Sequence, residues 1–333
     1  MKVKILEHKS QLLEVKEDWN RLFNDGDYSD FQSFDYCYHS ALVSNLFTIC
    51  LLENNRIIEI WPCEVIDKKL RFINDIHADF CDILSSSNSM KILDVLKNNN
   101  LLGNLSFRNL KKDALILKKL VGLDFCDLSN SVNYSILSLE QTDVFPANFS
   151  HFVYRQKRRL KRIINKYNSV HTIIAIENNS FPYEDIITLK NKMIALNMRD
   201  DTFLDDGFLR LAEGLYNSGK LIVSKVVVGN EIVAISLLFK SENYFSFWVD
   251  LYNDFQMINL YHNVMVIKNI TEKSNAFFNF GRGTYNYKIQ NFSPEIFNLF
   301  EFNSFDSESG RLVFLLQKKI IKWFKKIHKK IKS

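Results

Sequence analysis

The sequence predicts an α/β (α+β) fold with two tandem domains, each a mixed β-sheet covered by helices, followed by a basic amphipathic helix. The length of 333 residues suits two domains of about 150 residues each. Two segments, residues 48–60 and 221–235, share one pattern of apolar run, polar turn and apolar run. Helical patterns precede both segments, so the chain has the order of a duplicated domain.

These patterns place the domain limits. We expect an N-terminal domain over residues 1–140 and a linker with a basic helix over 141–170. A C-terminal domain that holds the active site follows over 171–305, and the terminal helix covers 306–333. The limits lie where the repeated pattern ends and where the lysine-rich end of the chain begins.

In the N-terminal half, helical patterns over residues 19–23 and 31–46 lead into the hairpin of residues 48–60. Both arms of this hairpin are rich in apolar and β-branched residues, and a short polar turn joins them. That combination is a typical hairpin signal.

In the C-terminal half, helical patterns over residues 183–196 and 203–216 precede the second hairpin. An aromatic-rich strand over 244–251 and a helix over 260–271 follow it. Before these elements, residues 155–166 form a helix with a strongly basic face, which is either a solvated surface or a contact for a phosphate-rich substrate.

Composition excludes several protein classes. The hydrophobic fraction of 47% and the 28 phenylalanines can form sizeable cores, and 10 glycines and 4 prolines argue against disorder. The five cysteines form no C-x-x-C pair and the seven histidines show no ligand spacing, so we expect free thiols and no metal site. Charge interrupts the N-terminus before an apolar core forms, and no run is long enough to span a bilayer. We therefore expect a cytoplasmic protein.

The most informative segment is residues 277–288, Phe-Phe-Asn-Phe-Gly-Arg-Gly-Thr-Tyr-Asn-Tyr-Lys. Its pattern is a short buried strand that runs into a glycine-flanked arginine. Gly281 and Gly283 allow a sharp turn and a close approach of the backbone to a ligand. Arg282 and Lys288 are natural partners of a phosphate or a carboxylate.

This segment resembles the "F-D-F-x-R-G-D-x-x-Y-K" signature of the FemAB/CelD-like branch of the GNAT acyltransferases. Weaker N-terminal marks agree: Phe-Gln-Ser-Phe at residues 31–34, Trp61-Pro62, and residues 78–84, which resemble the family's "S-D-Y-x-D-L-L". The resemblance spans most of residues 15–300. It implies paired GNAT domains that transfer an acyl group from a carrier to an amine, without a covalent enzyme intermediate.

The resemblance also implies roles for individual residues. Main-chain N–H groups of a splayed strand would polarise the thioester carbonyl, and the amine would attack it directly. The acyl carrier would run beside residues 244–251, where Trp248 and Val249 lie, and along the following helix with Asn263. Catalytic candidates are Asp250 as the proton acceptor, Tyr287 as an orienting group or proton donor, and His262 as another base. The candidates for binding a phosphate-bearing acceptor are Arg282, Lys288, Gly283 and Asn279.

The sequence departs from the family pattern in two places. Asn279 and Thr284 stand where the family usually has aspartate, so two carboxylates are missing. Residues 259–262, Asn-Leu-Tyr-His, lack the glycine that the family has at the start of this helix. The second departure bears on whether coenzyme A or another carrier is the donor. His262 either supplies a base or faces solvent.

Residues 311–333 contain nine basic residues and no acidic one, although the whole chain carries a net charge of only +5. Their apolar residues, among them Leu316, Trp323 and Phe324, fall on one stripe of a helix with lysines opposite. Such a helix either lies on an anionic membrane surface or packs on the body of the protein. The pattern does not resemble that of a single-strand nucleic-acid binder.

We therefore expect an N-acyltransferase that moves an acetyl or other small acyl group from acyl-CoA to an amino sugar. The acceptor would be a nucleotide- or lipid-linked precursor of a surface polysaccharide, used near the inner face of the plasma membrane. One alternative is a Fem-like transferase with aminoacyl-tRNA as donor. The other is a degenerate, non-catalytic binding protein at the membrane periphery.

Overall fold

The structure is a computed structural model that describes residues 1–41, 45–140, 154–168, 172–177, 180–241, 243–272, 275–283 and 285–331. The chain forms two compact units, Met1–Ser131 with Leu299–Ser333, and Val132–Asn298. These limits differ from the predicted ones at 140, 170 and 305, because the chain leaves each unit within a strand. Part of the predicted linker, residues 141–153, lies outside the described ranges.

The first unit combines short strands with short helices. Its strands are β1 (Lys2–Leu6), β2 (Thr48–Glu53), β3 (Arg56–Trp61), β4 (Cys63–Ile66), β5 (Lys69–Phe72), β6 (Leu84–Ser85) and β7 (Ser106–Leu110). Its helices are α1 (Lys9–Leu13), α2 (Lys16–Asn24), α3 (Phe34–Ser40), α4 (Lys91–Asn98) and α5 (Leu115–Leu120), with 3₁₀ turns at Asp30–Gln32 and Leu102–Asn104. Strand β8 (Cys126–Leu139) begins in this unit and continues into the second.

Antiparallel pairing orders the first sheet as β1-β2-β3-β6, and β4 and β5 form a second antiparallel pair. A parallel bridge between Leu70 and Leu105 makes the pairing of the unit mixed. The predicted hairpin of residues 48–60 is confirmed as β2 and β3, which pair in the antiparallel direction. Asn54 and Asn55, which join the two strands, adopt φ values of 51° and 62°. Such left-handed pairs form the two-residue turns of hairpins.

One helix of this unit is shorter than predicted. The pattern over residues 31–46 predicted a single helix, whereas the described part consists of the 3₁₀ turn and α3, which ends at Ser40. Ser33 caps α3 by accepting a hydrogen bond from the backbone N–H of Tyr36. Leu46, within the predicted helix range, instead forms an antiparallel β-bridge with Glu64.

The second unit has longer elements around one mixed sheet. Its helices are α6 (Tyr154–Asn168), α7 (Tyr183–Ala195), α8 (Asp206–Asn217), α9 (Ile258–Thr271) and α10 (Asn286–Phe292). Its strands are β9 (Thr172–Glu177), β10 (Leu221–Val228), β11 (Glu231–Ser241), β12 (Tyr244–Tyr252) and β13 (Ala276–Arg282). The strand order is β8-β13-β12-β11-β10-β9.

Only β12 and β13 pair in parallel within this order, and the other pairs are antiparallel. The second predicted hairpin is confirmed as β10 and β11, which are joined by Gly229 and Asn230. Helix α9 covers the sheet and buries residues around most of its circumference, including Tyr261, His262 and Val264. The core of the unit therefore lies between α9, α6 and the sheet.

The last two elements belong wholly or mainly to the first unit. Strand β14 (Glu295–Ser304) pairs with β7 through Phe300, Phe302 and Asn303. Helix α11 (Glu308–Ile331) follows it, and Lys318 Nζ contacts Ser129 Oγ at 2.7 Å and Asp127 Oδ2 at 3.3 Å. Among the described helices, none is both long and apolar enough to be a membrane span.

Candidate active site

Two adjacent strands of the second unit separate after a short stretch of pairing. Strands β12 and β13 pair only from Tyr244 with Phe277 to Ser246 with Asn279. Both strands continue, to Tyr252 and Arg282, and no further pair between them is found in the described residues. The backbone groups that face this opening are therefore available to a ligand instead of to the sheet.

A β-bulge lies on the same strand. Val249 is opposite Leu237 of β11, whereas the next residue of β11, Leu238, is opposite Phe247. Trp248 is thus an extra residue without a register partner on β11. Bulges of this kind release a backbone N–H and redirect the strand, and they occur often beside active sites.

The Trp248 side chain packs against two other aromatic rings. Its ring lies 4.6 Å from that of Phe208 and 5.0 Å from that of Phe239, measured between centroids. A contact between Trp248 or Val249 and an acyl carrier would therefore involve backbone groups. The predicted cofactor role of these residues stays a prediction, and the bulge gives it a physical basis.

Asp250 lies on β12 directly beyond the bulge. Ser236 of β11 is its register partner and donates a 2.6 Å hydrogen bond from Oγ to Asp250 Oδ1. Burial raises the pKa of Asp250, while hydrogen bonds from Ser236 and Asn263 and the positive charges of Lys288 and Arg199 oppose that rise. Asp250 is thus a desolvated carboxylate held by donors, which suits a general base.

His262 does not face solvent, which corrects one of the two expectations for it. Its side chain is 1% exposed, with Nε2 at 2.8 Å from Ser224 Oγ and Nδ1 at 3.3 Å from Ser236 Oγ. Burial lowers its pKa to about 3, so the imidazole is neutral near pH 7. A buried ring cannot take a proton from a substrate directly, and any catalytic effect must act through Ser236.

Asn263 was predicted to contact the acyl carrier near the start of α9. The structure places it in the second turn of the helix, 2% exposed, where its side chain acts to lower the pKa of Asp250. Its Oδ1 atom is buried and has no hydrogen-bond partner within the described part of the chain. Asn263 therefore influences Asp250, and carrier binding by this side chain remains only a prediction.

Lys288, a candidate for binding the acceptor, lies in α10 and is 7% exposed. Its Nζ donates to the backbone carbonyl of Phe280 and lies 5.1 Å from the ring centroid of Tyr285. A buried ammonium group needs such partners. Lys288 thereby ties α10 to the end of β13 while its charge acts on Asp250.

Tyr287, the neighbour of Lys288, is partly buried. Burial and the negative charge of Asp250 both raise the pKa of its phenol. Tyr287 therefore stays protonated over the physiological range and can only donate a proton or a hydrogen bond near Asp250. This state is compatible with the role of proton donor, which stays a prediction.

The glycine-flanked arginine has the predicted turn geometry. Gly281 and Gly283 adopt φ values of 70° and 90°, which other residues rarely reach. A Cβ on Gly283 would also come within 2.8 Å of the Tyr285 ring. Arg282 is partly buried, and its backbone is opposite Tyr134 of β8.

Asn279 is fully buried and serves this turn. Its Oδ1 accepts a 2.9 Å hydrogen bond from the backbone N–H of Gly281, and Nδ2 lies 3.5 Å from Ser246 Oγ. An aspartate would provide the same acceptor, so asparagine preserves the turn without a carboxylate. The other departure from the family pattern, Thr284, lies outside the described residues.

Arg199 is a candidate that the sequence patterns did not reveal. It lies in the loop between α7 and α8, is exposed, and stacks over Phe203 with 5.1 Å between the guanidinium carbon and the ring centroid. Its charge acts to lower the pKa of both Asp250 and Tyr287. A lone arginine in a polar loop gives no sequence signal for this effect.

The described residues contain no cluster of three or more His, Cys, Asp or Glu side chains arranged to hold a metal ion. They do bring the Ser236 hydroxyl and the Asn263 amide to the carboxylate of Asp250, and the phenol of Tyr287 lies nearby. The arrangement can accept one proton and donate another beside the stretch of β12 that does not pair with β13. Such a site suits transfer of a group between two bound substrates.

No family model matches the sequence, and no curated protein sequence is detectably similar to it. Several solved structures share its fold. The C-terminal domain of a protein designated a lysylphosphatidylglycerol synthetase, from Agrobacterium fabrum, has a TM-score of 0.61 and 9% identity, covering 91% of this chain and 96% of its own. FemX has a TM-score of 0.58 and 10% identity, with coverages of 90% and 97%.

A tandem GNAT protein from the clavulanic acid biosynthesis pathway has a TM-score of 0.52 and 7% identity, and covers 92% of this chain and 99% of its own. Identities this low establish the fold alone. The predicted fold class is confirmed by these neighbours together with the mixed sheet. The chain has the tandem GNAT fold in the form that FemX and its structural relatives share, as the FemAB/CelD-like motif predicts.

Proposed function

We propose that this protein is an N-acyltransferase that uses acyl-CoA, with acetyl-CoA as the representative donor. The acceptor is the amine of a nucleotide- or lipid-linked amino sugar in surface polysaccharide biosynthesis. One observation carries the proposal: the opening between β12 and β13 lies beside both the Trp248 bulge and the hydrogen-bonded carboxylate of Asp250. The structure of the tandem GNAT neighbour is that of a form without acetyl-CoA, which makes acetyl-CoA the donor to test first.

The proposed reaction is a direct displacement. The amine nitrogen attacks the thioester carbonyl carbon, and the backbone N–H groups released at the bulge stabilise the resulting oxyanion. Asp250 accepts the proton that the amine loses, which leaves a neutral amide after the C–S bond breaks. The departing thiolate takes a proton from the Tyr287 phenol, free coenzyme A leaves, and the phenolate regains a proton from solvent.

The acceptor requires a cationic site. Arg282 and Lys288, with Gly283 and Asn279 shaping the turn between them, would bind the phosphate of a nucleotide- or lipid-linked sugar. Arg199 would approach it from the α7–α8 loop. Arginine binds phosphate through paired N–H donors, so Arg282 and Arg199 are the stronger ligands of this set.

Membrane attachment through α11 is the second part of the proposal. Seven apolar side chains of this helix are between 45% and 60% exposed: Leu312, Val313, Leu316, Ile320, Ile321, Trp323 and Phe324. Exposed apolar side chains combined with a lysine-rich sequence fit the headgroup region of an anionic bilayer. The protein would then work near lipid-linked precursors.

A second candidate function is aminoacyl transfer from tRNA. Helix α6 buries Leu160, Ile163 and Tyr167, and its opposite face exposes several cations: Arg155, Arg158, Lys161, Arg162 and Lys166. A row of this kind would neutralise phosphates of an RNA backbone. The similarity to the FemX fold is compatible with this reading.

The deciding experiment measures thiol release from acetyl-CoA with nucleotide-linked amino sugars, in parallel with amide formation from aminoacyl-tRNA. Release that depends on the amine and is lost in Arg282→Ala supports the first function. Amide formation from aminoacyl-tRNA alone would replace it with the second. Absence of turnover and of thermal stabilisation by any donor would leave a non-catalytic binding protein.

A further inference from the structure

A row of polar side chains crosses the apolar sheet of the second unit. Ser224 on β10 is the register partner of Ser236 on β11, and Ser236 is the register partner of Asp250 on β12. Directly opposed residues of neighbouring strands point to the same face of a sheet. Both serines are 0% exposed, in strands that are otherwise almost wholly apolar.

His262 of α9 joins these three residues into one chain. Its Nε2 atom lies 2.8 Å from Ser224 Oγ, and its Nδ1 atom lies 3.3 Å from Ser236 Oγ. Ser236 Oγ then lies 2.6 Å from Asp250 Oδ1. Buried hydroxyl and imidazole groups would cost stability without partners, so the chain satisfies each of them.

With Asp250 ionised, as a general base must be, the donors and acceptors of the chain allow only one direction. The carboxylate can then only accept, so the Ser236 hydroxyl donates to Asp250 Oδ1. That hydroxyl has a single hydrogen, and it must therefore accept from Nδ1–H of His262. The imidazole is neutral, since burial lowers its pKa to about 3, so Nε2 carries a lone pair and accepts from Ser224.

We propose that Ser224, His262 and Ser236 form a hydrogen-bond chain of fixed direction that holds Asp250 Oδ1 and leaves Oδ2 as the atom that takes the proton of the amine. Ser236 and His262 are thus positioning residues for the base. This proposal rests on the proposed function for the role of Asp250, but the direction of the chain is independent of any activity.

Proton transfer to Oδ2 leaves the chain intact. The amine loses one proton, Oδ2 gains it, and Oδ1 continues to accept from Ser236. No proton moves along the serines or the imidazole, so neither serine becomes an alkoxide. The proton leaves Oδ2 for solvent when the products have departed.

Other groups also face Asp250 and contribute to its protonation. Asn263 of α9 donates a hydrogen bond, and Lys288 of α10 and Arg199 of the α7–α8 loop provide positive charge. Tyr287 of α10 lies nearby as a neutral phenol. Removal of Ser236 alone therefore weakens the preference for the ionised carboxylate without abolishing it.

The first test reads the histidine of the intact protein by ¹⁵N NMR of labelled imidazole nitrogens. We expect His262 to carry its proton on Nδ1, to have an unprotonated Nε2, and to stay neutral from pH 8 to pH 5. A proton on Nε2, or titration near pH 6.5, would overturn the chain. This measurement requires neither a variant nor an enzyme assay.

The second test follows the Asp250 carboxyl by ¹³C NMR, assigned with Asp250→Asn. Loss of one hydrogen bond to a charged group in Ser236→Ala should raise the Asp250 pKa by about one pH unit. The matched control is Thr271→Val, which removes another buried hydroxyl of this unit, one that donates only to the carbonyls of its own helix. An unchanged midpoint in a folded Ser236→Ala protein would disprove the positioning role.

The enzyme assay separates the two proposals. If the protein is an acyltransferase, the acidic limb of its pH–rate profile should move in Ser236→Ala by the same amount as the carboxyl midpoint, with an unchanged KM for the donor. A shifted midpoint without turnover from any donor would keep the chain and remove the function. Turnover with an unshifted midpoint would keep the function and remove the chain.

Discussion

Ser236 and Asp250 are opposite each other on β11 and β12, and the serine hydroxyl donates a 2.6 Å hydrogen bond to one oxygen of the carboxylate. Two positions before Asp250, the bulge at Trp248 interrupts the same pairing. The proposed base and the backbone of the bulge thus lie two residues apart on one strand. This spacing matches the two needs of direct acyl transfer to an amine, which are proton removal and stabilisation of an oxyanion.

Replacing Asp250 tests the base. Asp250→Asn keeps an acceptor for Ser236 but cannot take a proton at neutral pH. General-base catalysis contributes about 10²–10⁴-fold, so we expect kcat to fall within that range. Donor affinity should change little, and equilibrium binding of acetyl-CoA checks this point. A variant with the kcat of the parent would assign the proton to another group.

Replacing Arg199 tests the acceptor site that the α7–α8 loop offers. Loss of a charged hydrogen-bond donor at a phosphate should raise KM for the acceptor by about tenfold or more, with the donor KM unchanged. Arg210→Ala, on the exposed face of α8, is the matched control. Equal effects of the two substitutions would show that only overall charge matters.

The turn at Gly283 should tolerate no side chain. Gly283→Ala imposes a φ of 90° on alanine and brings its Cβ within 2.8 Å of the Tyr285 ring, so we expect a loss of about 1–3 kcal/mol in the free energy of unfolding. Gly219 also has a positive φ, of 73°, but a Cβ added there would have no atom within 4 Å. Gly219→Ala should therefore cost less in denaturant titrations, and the reverse order would contradict the described turn.

Stability should fall in acid because His262 is buried as a neutral group. Its pKa is about 3 in the folded protein and 6.5 in an unfolded chain, so only the unfolded state binds a proton between these values. The free energy of unfolding should thus decrease by about 2 kcal/mol from pH 7 to pH 5 on account of this residue. His262→Asn should remove that part of the slope, and an unchanged slope would show that His262 protonates in the folded state.

The α11 helix should bind anionic vesicles. We expect the full chain to float with phosphatidylglycerol vesicles and not with neutral ones, and high salt should weaken the binding. Trp323→Ser combined with Phe324→Ser should reduce flotation at least severalfold, because both side chains are more than half exposed. Phe255→Ser removes an exposed aromatic residue elsewhere and serves as the control. Flotation that is the same with neutral and anionic vesicles, and is unchanged by the two substitutions, would exclude α11 as the membrane-binding surface.

Local sequence patterns were sufficient to predict the hairpins and most of the helices. Asn54-Asn55 and Gly229-Asn230 are turn residues between β-branched runs, and both form the predicted two-residue turns. The order of these elements, with the glycine-flanked arginine at 282, was enough to predict the tandem fold. Such features depend on short stretches of backbone, which sequence patterns describe well.

The environment of the candidate site was harder to predict. Helix α9 is apolar around most of its circumference, so periodicity gave no inward face on which to place His262. Lys288 lies in α10, a short helix that the motif did not predict, and its ammonium group donates a hydrogen bond to a backbone carbonyl of β13. Ser224 and Ser236, within the largely apolar runs of β10 and β11, were an available signal, because a hydroxyl among apolar residues needs a partner.

The central claim, that the opening beside the Trp248 bulge receives the acyl carrier, is tested most directly by an amide ¹⁵N NMR titration with acetyl-CoA. We predict saturable shifts of the backbone N–H signals of Trp248 and Val249, accompanied by amine-dependent thiol release. Unchanged signals at both positions, at acetyl-CoA concentrations far above the usual dissociation constants of coenzyme A complexes, would contradict the assignment of this site.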